Sequence, residues 1–317
     1  MRITNFIFIA LFLNTVLIAQ NYSIFGKIEG MPDGEVLLGY YYGDKQFVKD
    51  TVDSHHGFFH FESEEELESG MYFVLLPSKQ YFQLIIDETR NFSFETSKDN
   101  MILDMKVQGS KENQLFYEYQ KFTQKKGIQA EPLKKGLKTL EKDTRKYEKI
   151  KKQLKEIDDE VTDFKLDYMQ KHFSTFFVKL LSAMEPIVVP ESPLLEDGTV
   201  DSKFQYNYYK KHYWDHFDLK DDRMVRTPIF HSKIEKYLLE YTPQIPDSII
   251  KSLDVLIEKV RESEELFKYI INWSTHHFES SKIMGQDAVF VHLVFTYFIT
   301  RQTPWIEEVQ LTNIIDK

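Results

Sequence analysis

Residues Tyr22–Val52 read YSIFGKIEGMPDGEVLLGYYYGDKQFVKDTV, and the alternation in this run decides the fold of the first third of the chain. Apolar and polar side chains exchange places at period two, the pattern of a strand with one face in a core. The alternation is cut by Gly30-Met31-Pro32-Asp33-Gly34 and again by Gly43-Asp44, residues that turn a chain. The same rhythm runs on through Gln108. It predicts strands over Tyr22–Glu29, Glu35–Tyr42, Phe47–Val52, Phe58–Phe61, Met71–Leu76, Tyr81–Ile86, Phe92–Thr96 and Met101–Val107. Breaks fall at His55-His56-Gly57, Pro77-Ser78 and 88–91. Short strands at regular spacing between such turns predict an antiparallel β-sandwich or barrel over 21–109, with Phe58, Phe59 and Phe61 in its interior or at its edge.

At Gly109-Ser110 the period changes to that of a helix, with Ser110 as N-cap. Residues 111–123 form one helical pattern. Beyond Gly127 and Pro132, Leu133, Leu140, Tyr147, Leu154, Val161 and Tyr168 recur every seven residues. That narrow stripe between charged sides predicts a single long helix, running on to Met184, of coiled-coil or helical-hairpin type. It leaves open a homodimer paired through the helix. The lysines along it alternate with Glu141, Asp143, Glu148, Glu156, Asp158 and Asp159, so they read as a solvated face and not as a polyanion site. Residues 185–201 carry three prolines and a glycine and no period, a connector. Helices are expected over about 202–217, 228–241, 246–275, 285–300 and 304–315, within an all-α region spanning 202–317. The expected class is α+β: an N-terminal antiparallel β-sandwich, a helical spacer over 110–184 that contains the long heptad-patterned helix, then a C-terminal all-α domain.

Composition limits the function. The net charge is −10, which argues against a nucleic-acid partner. There is no cysteine, so disulfides, thiolate catalysis, thiolate metal sites and a lipoprotein anchor are all excluded. The start, MRITNFIFIALFLNTVLIAQ, has one early positive charge, an apolar run and a small residue at Ala19. It predicts a secretory signal peptide over 1–19, with an uncleaved anchor as the alternative. No later stretch is apolar enough to span a membrane. The expected product is periplasmic or otherwise exported, soluble, and without a lipid anchor.

The densest set of unusual residues is Tyr213–Phe230, YWDHFDLKDDRMVRTPIF. Its candidate site or structural residues are Trp214, Asp215, Asp218, Asp221, Asp222, Arg223 and Arg226, with Asp287 from the companion stretch Ser281–Leu293. The acidic spacing is wrong for a calcium loop, and buried pairing of the aspartates with Arg223 and Arg226, with capping by Asp218 or Asp221, fits better. His212 and His216 share a helix face but lack a third ligand. Trp214, Phe290 and Phe295 are expected in the core. Ser232 and Ser281 lack a nucleophile context, and the glycine of KIMGQD is no phosphate loop. No cofactor, metal or catalytic residue is called for.

HYWDHFDLKDDRMVRTPIF together with SKIMGQDAVFVHL resembles the helical domain of unknown function that precedes the thioredoxin-fold domain in exported thiol–disulfide oxidoreductases of the TlpA/ResA type. FGKIEGMPDGEVLLGYYY through MKVQGSKENQLFYEY resembles the β domain at the start of the same proteins. The resemblance implies a place in envelope thiol–disulfide exchange. In those proteins a CxxC-bearing domain follows, which this sequence lacks. The expectation is therefore a non-catalytic member of a thioredoxin-like family, which binds or positions a substrate or a separately encoded thioredoxin-fold partner. Two alternatives stand beside it: an independent glycan or small-molecule binding module, and the front of a longer oxidoreductase.

Overall fold

A computed structural model of the chain describes residues 21–142 and 144–315; the signal-peptide reading falls outside them. Eight strands fill the first third: β1 (Tyr22–Glu29), β2 (Gly34–Tyr42), β3 (Lys45–Ser54), β4 (Phe58–Ser63), β5 (Gly70–Leu75), β6 (Tyr81–Ile86), β7 (Asn91–Ser97) and β8 (Lys106–Gln108). They form two four-stranded sheets, ordered β4-β1-β7-β8 and β3-β2-β5-β6. All neighbours are antiparallel except β1 and β7, which run parallel. The inner faces meet through aromatic edges, with Phe94 of β7 5.3 Å from Phe82 of β6 and 5.8 Å from Phe59 of β4. Alternation holds on β1, where Tyr22, Ile24 and Ile28 are buried. It breaks down at Gly70–Tyr72 and Leu84–Ile86, where successive residues are all buried. There the helical half covers the outer face of the second sheet.

Two expectations in this region are corrected. Residues 101–104 are a turn and the last strand is only Lys106–Gln108, because Thr96 Oγ1 donates to the Met101 carbonyl at 2.8 Å and folds the chain back. Phe58 points outward and is 43% exposed, while its neighbours in alternation, Phe59 and Phe61, fill the interior.

The single long helix is also corrected. α1 (Lys111–Lys138) and α2 (Arg145–Lys171) are separate and antiparallel, with α1 ending at its C-cap Thr139 and α2 starting from its N-cap Thr144. Thr144 caps α2 by accepting from Tyr147 N at 3.2 Å. Pro132 lies inside α1 and Gly127 does not interrupt it. The two arms meet through Phe122, which stacks on Phe164 at 3.8 Å, through Lys126 paired with Glu160, and through Tyr119 packed on Tyr168, the last residue of the heptad stripe. Its residues from Leu133 to Val161 are only half-buried, as expected of two helices with no third layer beside them.

A capped turn at 172–175 then separates α3 (Phe176–Ala183), against the expectation of continuity to Met184. α4 (Phe204–His212), a 3-10 turn (Asp222–Arg226) and α5 (Pro228–Glu235) with a π turn to Glu240 follow. The helix expected over 246–275 is two, α6 (Pro246–Lys259) and α7 (Glu264–Glu279), because Ser263 caps the second. α8 (Asp287–Leu293), a π turn to Phe298 and α9 (Glu308–Ile315) complete the order. Among the described residues no helix is long and apolar enough to cross a membrane.

The two halves share one continuous hydrophobic core. Buried Asn113 on α1 ties them at the sheet edge. Its Oδ1 accepts from Ile85 N at 2.8 Å and its Nδ2 donates to Ile85 O at 2.6 Å, so β6 is bonded to a helix side chain as if to another strand.

Candidate functional site

The Tyr213–Phe230 stretch lies at the seam between sandwich and helices, and most of its charges are used there. Asp221 accepts from Arg223 Nε at 2.8 Å and Nη2 at 2.6 Å, and from Lys179 Nζ of α3 at 2.7 Å. Burial alone would push this carboxyl up; the hydrogen bonds from Arg223 and Lys179 outweigh that and hold it at about 2. The Arg223 guanidinium lies over the Phe176 ring, 4.5 Å from its centre. Asp218 takes the other side of Lys179 at 2.8 Å. Asp222 accepts from Ser263 Oγ and from Glu265 N, adding a second acceptor at the start of α7. Arg226, buried, reaches Glu265 at 3.4 Å and Glu68 at 3.5 Å. The 3-10 turn thus clamps α3, α7 and the start of β5 together.

Trp214 is packed among Tyr213, Phe217 and Tyr237. Asp215 is exposed and bonded to His212 Nδ1 at 2.6 Å. Asp287 is exposed in the first turn of α8 and does not line the clefts beside Trp214. Phe290 is buried, but Phe295, expected in the core, is 64% exposed, since the π turn rotates it off the inner face. Among the described residues no group of three His, Asp or Glu is placed to hold a metal. The expected site residues therefore split: Asp218, Asp221, Asp222, Arg223 and Arg226 form a clasp, while Trp214 and Asp215 line a separate cleft.

The cleft that sequence reasoning missed sits on the seam itself. Tyr42, Asp44, Lys45 and Phe47, around the β2–β3 turn, face Tyr269, Asn272, Trp273 and His276 of α7 across a hollow of about 350 Å³. The Tyr269 hydroxyl accepts from Asp44 N at 3.1 Å, donates to Asp44 Oδ1 at 3.2 Å and lies 2.9 Å from His231 Nδ1. Burial, and then Asp44, raises the Tyr269 phenol. Tyr42 is pushed up to about 12 by burial and then by Glu265, so both phenols stay neutral donors at neutral pH. Trp305 Nε1 donates to Asn272 Oδ1 at 3.1 Å and fixes that amide. Trp273 is braced by His277, stacked at 5.0 Å, and by the edge of His231 at 5.5 Å. The one sequence signal was the aromatic residues on both sides of Gly43-Asp44, an unusual load for a hairpin tip.

These features define an α+β protein in which a β-sandwich is clasped to a helical half with an aromatic and polar cleft on the seam. Residues 142–317 match the family model described as Domain of unknown function (DUF5106), and residues 22–116 match that described as Domain of unknown function (DUF4369). The first match covers more than half of the chain, which belongs to the DUF5106 family. Neither the curated proteins nor the solved structures provide a match.

Proposed function

We propose that this chain is a non-catalytic binding module of the cell envelope, whose ligand seat is the seam cleft and whose ligand is a neutral saccharide or a similarly amphipathic small molecule. The observation that carries the reading is the lining: aromatic faces from both halves with a few oriented polar groups. This is the usual make-up of a small-molecule seat at a junction between structural units. Tyr42, Phe47 and Trp273 offer apolar faces for a sugar ring, and Asp44, Asn272 and His276 offer partners for its hydroxyls. Titration calorimetry with neutral β-1,4-linked gluco-, manno- and xylo-oligosaccharides is expected to give Kd values of about 0.1–1 mM for at least one. Trp273→Ala is expected to weaken that binding by about tenfold or more. Heatless titrations across the whole panel would remove the saccharide reading.

The resemblance noted in the sequence supports a second reading, in which the module positions a substrate or partner for thiol–disulfide exchange done elsewhere. The chain itself has no cysteine. Exchange requires an attacking thiolate, so the redox step would belong to a thioredoxin-fold protein or domain supplied separately. An affinity-tagged chain is expected to retain such a protein from envelope extract of the producing cells. Retention of none would set this reading aside.

A further inference from the structure

A second cleft, of about 740 Å³, opens between α4 and α6, with Trp214 and the ammonium-bearing side chains of Lys210, Lys211, Lys251 and Lys259 in its lining. In a chain of net charge −10 this concentration of cations runs against the average surface. Asp215 is the one acid of the lining, and it is bonded to His212 Nδ1 at 2.6 Å. Lys210 Nζ donates instead to Thr242 Oγ1 at 3.0 Å and Ser252 Oγ at 2.9 Å, and its ammonium is disfavoured by burial and then by Lys251. Lysines left facing one another are a cost that a bound anion would relieve.

An independent observation comes from Trp214. The side chain is only 4% exposed, and among the described residues its indole Nε1 has no hydrogen-bond partner. An indole N–H can only donate, and a buried donor without an acceptor costs about 1–3 kcal/mol. An anion in the cleft would relieve the lysines, while the Trp214 indole, packed in the cleft wall with its N–H closed off from solvent, would sense the arriving charge. A neighbouring hollow shares Asn207, Lys210 and Lys251 and adds Ser248 from the first turn of α6, so the basic surface extends beyond one charge's reach.

We propose that this cleft binds a small ligand carrying several phosphate or sulfate groups, with Lys210 donating from its floor, Lys211, Lys251 and Lys259 from its rim, and Trp214 packed in its wall. This site is separate from the seam cleft and takes the opposite kind of ligand. The rim lysines are exposed, so their replacement leaves the core intact.

The test uses the full chain labelled with 5-fluorotryptophan, whose three tryptophans give separate fluorine resonances; Trp214→Phe assigns the one that matters. Inorganic pyrophosphate and sucrose octasulfate are titrated separately at about 20 mM salt, where screening is weak. The Trp214 resonance is expected to shift saturably with at least one of them, and which one responds distinguishes phosphate from sulfate. The double variant Lys251→Glu/Lys259→Glu, its fold checked by circular dichroism, is expected to raise Kd by about tenfold or more, read by calorimetry. A Trp214 resonance unmoved by both anions at about 10 mM, or a charge-reversed variant that binds as tightly as the parent, would overturn the proposal.

Discussion

Asp221→Asn is expected to lower the unfolding free energy at pH 7 by about 3 kcal/mol, the order found when one partner of a buried, hydrogen-bonded ion pair is removed. The side chain of Asp221 is 8% exposed, and it is held by Arg223 and Lys179 together. Asparagine keeps the shape but leaves two cations facing a neutral amide, with Phe176 beneath one of them. The pH dependence has a fixed sign. The carboxyl goes from 3.8 to about 2 on folding, so its contribution is fully present above about pH 4 and is lost as pH falls through 2. That interval is worth about 2 kcal/mol by linkage. Urea unfolding of parent and variant at pH 7, 5, 3 and 2 is the measurement. The gap between them should close on the acid side, and a gap that stays constant from pH 5 to 2 would show that ionised Asp221 is not what holds the clasp.

Of the pairings expected inside this motif, that of Asp221 with Arg223 forms, as acids and arginines a few residues apart allow, whereas Arg226 pairs with Glu265 and Glu68 instead of an aspartate. The purpose of the motif was not readable from the chain. Lys179 lies 42 residues before Asp221, and the Ser263 that Asp222 engages lies 41 residues after it. The same distinction runs through the fold. Strand alternation between glycine turns is a local signal, and seven of the eight strands fall within a few residues of where the alternation puts them. The break between α1 and α2 was hidden because Leu133–Leu140 and Tyr147–Val161 keep one seven-residue spacing on both sides of it: an antiparallel hairpin needs the same stripe on each arm. Gly127 and Pro132 then misled in the opposite direction, as helix breakers that tertiary pairing overrides. The seam cleft depends on Asp44 meeting Tyr269, 225 residues away, a pairing that no periodicity encodes.

Gly43→Ala is expected to destabilise the chain by about 2–4 kcal/mol. Gly43 has φ of +59°, where an alanine costs about 1 kcal/mol by itself. The added Cβ would lie 2.0 Å from two ring carbons of Tyr269 and 2.1 Å from its hydroxyl. Moving the ring is not cheap, because Tyr269 is 6% exposed, packs against Tyr42 and Phe230, and its hydroxyl is engaged with Asp44 and His231. Moving the turn instead would break the 2.8 Å bond from Gly43 N to Val225 O, which ties β2 to the 3-10 turn. Overpacking of this kind costs about 1–3 kcal/mol beyond the backbone strain. A double-mutant cycle separates the two parts. Tyr269→Ala removes the obstacle, so Gly43→Ala in that background should cost only the backbone share, giving a coupling of about 1–3 kcal/mol by urea unfolding. Additive losses would mean that the hairpin tip yields to the methyl without touching α7, and the seam, with the cleft built on it, would then be a soft contact instead of the rigid joint that preorganised binding requires.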